Sequence, residues 1–236
     1  MRLTVLLAGY VLVGANRNAA QTTLPARFES KRIAAYSDSF ATIVQGQERG
    51  WHTFSMQRTD SGFLYQERFD LPGMMGRDLR IVFGPALTVR SVTATGTLMG
   101  HMIGAQLAYA GQRATGWAIT DIETTPRRVT VDTVLPTGAF DGAALMAVLP
   151  ALNWEAGASY SITMFDSDEM NITTQTVRIA GPERITVPAG TFEAYRADLS
   201  TTQLPVRLWY TRESPHRLLK LGGDTDGFVT VLVRHR

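Results

Sequence analysis

His101 stands between Gly100 and Met102, and the other histidines, His52, His216 and His235, are isolated along the chain. A local zinc site needs two imidazoles on one face, as in H-x-x-x-H or H-E-x-x-H, and neither spacing occurs. Glu67, Asp132 and Glu193 lie in strand-like context or beside a turn. Two such acids held across a groove would suit glycoside chemistry, but strand carboxylates usually face solvent. The stretch Asp166-Ser167-Asp168-Glu169-Met170-Asn171 concentrates oxygen ligands, yet it lacks the glycine and distal glutamate of a helix-loop-helix calcium site. Between two strands such residues are ordinary turn formers, so a solvated hairpin tip is expected there. G-x-S-x-G is absent, and with Lys31 and Lys220 the only lysines no serine-lysine pair is available. The chain has no cysteine, which excludes thiol catalysis, thiolate metal sites and disulfides. No cofactor and no metal are implied.

Aromatic residues are the best material for a ligand pocket, because they bury much area and retain a polar edge. Trp51, Trp117, Trp154, Trp209, Tyr65, Tyr160, Tyr195 and Tyr210 qualify by type, and most are expected to fill the core. The expected ligand-lining set is Trp154, Trp209, Tyr160 and Tyr210, with His101 added from the glycine-rich middle. Trp154 follows the one apolar helical stretch, and Trp209 faces opposite to Val206, Leu208 and Tyr210 if that segment is a strand. Gly96, Gly100 and Gly104 would share one bare face of a strand, which implies sharp curvature, a loop or a close ligand.

Positioning these groups falls to strands. From Ser39 onward apolar residues alternate with polar ones and are punctuated by turn residues, as in Tyr160, Ile162 and Met164 against Ser159, Ser161 and Thr163. Roughly ten or more antiparallel strands are expected, and a sheet of that size must twist, curl or close. In "RITVPAGTFEAYRADLS", Pro188-Ala189-Gly190 reads as a hairpin joint between two strands. Ala180-Gly181-Pro182 reads as another turn. One segment differs: Asp141 is a candidate N-cap, Ala143–Leu149 is apolar throughout, and Pro150 helps to end the run. A helix with no polar face must be enclosed, and the concave side of a curled sheet can enclose it. The expected fold class is therefore mainly β, a large curved antiparallel sheet, half-barrel or open barrel, partly wrapping one short helix.

The first residues combine Arg2 with an apolar run, Leu3–Ala15, that suits a secretory leader and is too short to span a bilayer. A leader over residues 1–20, cleaved after Ala15 or Ala20, leaves residues 21–236 as one curved-sheet domain. The formal charge of +2 disappears with Arg2 and Arg17, so the mature chain offers no electrostatic case for nucleic acid or anionic lipid.

The second half, with "GAALMAVLPAL", "GASYSITM", "VRIAGPERITVPAGTFEAYRADL" and "VRLWYTRESPHRLLKL" in that order, resembles a family of exported bacterial proteins described only as a domain of unknown function. That family is distantly similar to the periplasmic lipoprotein carriers and their half-barrel fold. The resemblance is best over residues 139–236, and "GTLMGHMIGAQLAYAGQRATGW" does not fit its pattern. It implies an apolar groove for a lipid-like ligand and carries over no catalytic residue. The leading expectation is an exported, periplasmic or extracellular, binding protein that holds a hydrophobic or amphiphilic molecule without altering it. Its contact with a membrane is peripheral at most. The alternatives are a structural or partner-binding envelope protein, and a hydrolase or isomerase using carboxylates or His101.

Overall fold

The computed structural model describes residues 23–122, 124–200, 206–223 and 227–235. The expected leader lies outside the described residues. In chain order the strands are β1 (Leu24–Pro25), β2 (Tyr36–Val44), β3 (Gln47–Thr59), β4 (Gly62–Leu71), β5 (Met75–Phe83), β6 (Val89–Leu98), β7 (His101–Ala110) and β8 (Arg113–Thr120). There follow β9 (Arg127–Val134), β10 (Phe140–Asp141), β11 (Ser159–Asp166), β12 (Asn171–Val187), β13 (Gly190–Ser200), β14 (Val206–Thr211), β15 (Leu218–Gly223) and β16 (Phe228–His235). All sixteen belong to one sheet in which β16 pairs with β2, so the two halves of the chain join edge to edge. The order then runs from β11 through β16 and β2 to β9, with β1 and β10 laid parallel on β11. The sheet stays open, because β9 at one end does not pair with β1 or β11 at the other.

Alternation sets which side of each strand is dry. In β4, Phe63, Tyr65, Phe69 and Leu71 are buried while Gln66 and Arg68 are exposed. Proline and glycine close the hairpin between β12 and β13, where Val187 pairs with Gly190 across Pro188-Ala189. The expected turn at Ala180-Gly181-Pro182 is instead an irregularity inside β12: pairing with β13 shifts between Ile179 and Pro182 and then resumes. A bulge of this kind bends a strand without ending it, which suits a coiled sheet. The three glycines at four-residue spacing do not share a face. Gly100 lies in the β6–β7 turn at φ +84°, while Gly96 pairs with Ile103 and Gly104 with Thr95. At Gly96 it is the neighbouring backbone that comes close: an added Cβ would lie 2.0 Å from the Gly76 carbonyl oxygen. Only a residue without Cβ allows the neighbouring strand so near.

The apolar segment is helical and enclosed. Two 3-10 turns, Gly142–Ala144 and Leu149–Ala151, flank one α-helical turn, α1 (Leu145–Val148). Asp141 caps it, its Oδ1 accepting a hydrogen bond from the Ala143 amide at 2.9 Å. Ala144, Ala147, Leu149, Ala151 and Leu152 are fully buried and share one core with Tyr65, Ile81, Leu107, Val177 and Leu208 from the sheet. Leu149→Ala should lower unfolding free energy by about 2–5 kcal/mol through lost burial and a residual cavity. Met99→Ala, on an exposed turn, should change it by less than about 0.5 kcal/mol. Urea unfolding compares them, and equal effects would contradict enclosure of the segment.

Candidate functional site

Between the helical segment and the sheet lies a cleft of about 380 Å³. Leu79, Val92, Ile103, Leu145, Met164 and Leu199 give it an apolar wall drawn from both halves of the chain. One end is polar, with Glu67, Arg77, Gln175, Asp141, Asp166 and Asp168. This volume falls within the range of small-molecule sites, which pair apolar walls with a few fixed polar groups.

The polar end follows from strand register. Glu67 on β4 pairs with Phe54 and Leu79, while Phe69, two residues on, pairs with His52 and Arg77. His52, Glu67 and Arg77 therefore sit diagonally on one face of three adjacent strands, close enough for long side chains to meet. The Tyr65 hydroxyl donates to Glu67 Oε2 at 3.0 Å, and His52 Nε2 lies 3.3 Å from Glu67 Oε1. Arg77 Nη2 donates to the same Oε1. Burial pushes the Glu67 carboxyl up, but His52 and Arg77 outweigh it and hold the pKa at about 2. A charged carboxylate is thus fixed in the inner wall. Arg77 Nε and, on the facing strand β12, Gln175 Oε1 are buried without a hydrogen-bond partner among the described residues. An unpartnered buried donor or acceptor costs about 1–3 kcal/mol, so both have reason to bind a polar group entering the cleft.

Two more carboxyls border the cleft. Asp141 accepts from the Tyr109 hydroxyl as well as from the Ala143 amide, and burial, reinforced by Asp166, pushes its pKa up to about 6. Asp166 closes the β11–β12 hairpin by accepting from the Asp168 and Glu169 amides at 3.0 and 3.3 Å. The stretch 166–171 is therefore the hairpin tip expected from its turn formers. Asp168 is exposed at that tip but overhangs the concave mouth, where desolvation and then Asp166 push its pKa up to about 6.

The aromatic set is placed elsewhere. Trp154 is buried, its indole N–H donating to the Leu149 carbonyl at 3.1 Å and its ring 4.7 Å from that of Tyr210. Tyr160 donates to the Asn153 carbonyl at 2.7 Å, which ties β11 to the end of the helical segment. Tyr210 reaches a space of about 10 Å³ beside Asp38, His216 and Arg217, room for one water. Trp209 points to the opposite face, donating to the Glu183 carboxylate with Lys220 Nζ 4.7 Å from its ring centre. His101 is exposed at the start of β7. Trp154 and Tyr210 are thus brought together, while Trp209 and His101 stand apart from them. Of the three carboxylates singled out by strand context, Asp132 is a surface group 2.7 Å from Arg113 and Glu193 is exposed. Glu67 is the exception. The signal for it was in the alternation Phe63, Tyr65, Glu67, Phe69, Leu71, which sets an acid in a dry row. Among the described residues no group of three His, Asp or Glu side chains is arranged to hold a metal ion.

The family model described as protein of unknown function, DUF3108, matches residues 40–226. Among solved structures, a β-barrel-like protein of the domain of unknown function DUF1849 from Brucella abortus is similar at 12% identity and a TM-score of 0.53, over 89% of this chain and 98% of that one. That likeness is one of fold. A Bacteroides fragilis protein with a YmcC-like fold aligns at 10% identity and a TM-score of 0.33, over 91% of this chain and 98% of that one. Among curated proteins none matches the chain.

The raised Asp141 pKa fixes the sign of a pH effect. Between its ordinary value of 3.8 and about 6, the folded chain holds a proton that the unfolded chain has released. The associated stability is present in full below the ordinary value and is lost as pH rises through about 6. Asp141→Asn should flatten the fall in thermal midpoint between about pH 4 and about pH 7. An unchanged slope in that variant would contradict the account of Asp141.

Proposed function

The chain belongs to the DUF3108 family, and we propose that it is an exported binding protein that holds one amphiphilic small molecule in this cleft without altering it. The observation that carries the reading is a cleft of about 380 Å³, apolar along one wall, whose lining includes Arg77 and Gln175, each with a buried polar atom, Nε and Oε1, that lacks a hydrogen-bond partner among the described residues. The apolar Leu3–Ala15 run supports export. The DUF1849 likeness contributes the barrel-like fold and nothing about a ligand.

The polar end selects the head group. Arg77 is already paired with Glu67, and Asp166 and Asp168 stand at the mouth, so an anionic head would meet carboxylates. An uncharged head that accepts from Arg77 Nε and donates to Gln175 Oε1 suits the site, and a hydroxyl-bearing ester such as a monoacylglycerol has both functions. Chemistry is the weaker reading, because the ionisable groups in the wall are occupied with one another: Glu67 with Tyr65, His52 and Arg77, and Asp141 with Tyr109 and the helix cap.

Ala94 is half-buried in the cleft wall, where Trp should fill the space without disturbing the polar end. Titration calorimetry with monolaurin should give binding to the native protein, at least about tenfold weaker binding to Ala94→Trp, and weaker binding of laurate than of monolaurin at neutral pH. Absence of binding to the native protein, or equal binding by the folded Ala94→Trp variant, would overturn the reading.

A further inference from the structure

The exposed apolar side chains are not spread evenly. Ten large hydrophobic residues are exposed among those described. Six of them, Met74, Met99, Met102, Met170, Ile172 and Phe228, lie in or within three residues of turns at one end of the sheet. Strand direction establishes that it is one end: β4 runs into the turn before β5, β6 into the turn before β7, β11 into the turn before β12, and Phe228 pairs with Val44 at the end of β2. The Met99 amide donates to the Met74 carbonyl, so two of these turns touch. The cleft opens here as well, since Met75, Leu98 and Asp168 border it.

We propose that this end of the sheet docks on the surface of a lipid bilayer carrying no net negative charge. A protein partner requires a contiguous, shape-matched patch. Here the apolar groups are spread over several turn tips, two of them touching, with Asp166, Asp168 and Glu169 among them, an arrangement that a fluid headgroup layer accepts because it imposes no fixed shape. Methionine suits the role, being apolar, unbranched and adaptable. Charge selects the kind of bilayer. Glu48 and Arg49 offset each other at the β2–β3 turn, and Arg127 lies 2.5 Å from Asp121 beyond β8. Arg207 lies 3.7 Å from Asp198, and Asp70, Asp166, Asp168 and Glu169 outnumber Arg128, so the described residues of the docking end have an acidic balance that anionic lipid would repel. Docking in this orientation would set the cleft mouth against the membrane, where an apolar ligand can pass without crossing water.

Co-sedimentation with sucrose-loaded phosphatidylcholine vesicles tests the proposal. The native protein should sediment with the vesicles, and replacing part of the phosphatidylcholine by phosphatidylglycerol should reduce the bound fraction. The variant Met74→Gln/Met99→Gln/Met102→Gln/Met170→Gln, altered only at exposed sites, should lose at least about tenfold in partitioning. It should keep its monolaurin affinity, which separates failure of docking from failure of the cleft reading. No partitioning of the native protein, or equal partitioning of the variant, would overturn the proposal. So would a concentration-dependent dimer in analytical ultracentrifugation that the four substitutions abolish, since the rim would then join copies of this chain.

Discussion

A stretch that is apolar on every side, Gly142–Ala151, must be taken out of water all round, and the rest of the structure answers to that constraint. One helical turn with its flanks cannot bury itself. The sheet has to curl around it, so inward rows from β4 to β8 and from β11 to β14 meet in a single core. Burying Leu145, Val148, Leu149 and Leu152 is worth about 1.5–3 kcal/mol each, more than a local bend or a glycine costs. Residues Gly142, Ala143, Leu145 and Met146 of the segment line the cleft together with β5, β6, β7 and β11.

Within that apolar interior, the buried Glu67 carries a large electrostatic cost. A buried carboxylate is tolerated only with its charge matched and its oxygens hydrogen-bonded. His52, Tyr65 and Arg77 meet both needs from strands on either side or from Glu67's own strand. The arrangement depends on register, because a slip of one residue in β4 would turn Glu67 to solvent and Gln66 inward. The same register sets Arg77 in the cleft wall, with its Nε unpartnered among the described residues.

Much of the fold was legible in the sequence because alternation, turn formers and an all-apolar run are local signals. The β4 and β11 rows, the Pro188-Ala189 hairpin and the Asp141 cap all follow from neighbours within a few positions. In sequence the bulge at Ile179–Pro182 reads as a turn because Gly-Pro chemistry is the same in both, and only the partner strand β13 decides that pairing resumes. Gly100 illustrates the converse, since a glycine spacing suggests one face only if no turn intervenes. The site was less legible. Trp154, expected from its place after the helical stretch, and Tyr210, expected from its type, do come together, and both are buried. Arg77 and Gln175 lie 98 residues apart and face one cleft only after the sheet has coiled.

The central claim is that the cleft beside the enclosed segment is an occupied binding site. Native mass spectrometry of the protein isolated from cells tests it most directly. The account predicts a bound species carrying the added mass of one small amphiphile, absent from the Ala94→Trp variant prepared in the same way. Bare protein of identical ligand-free mass in both preparations would contradict it.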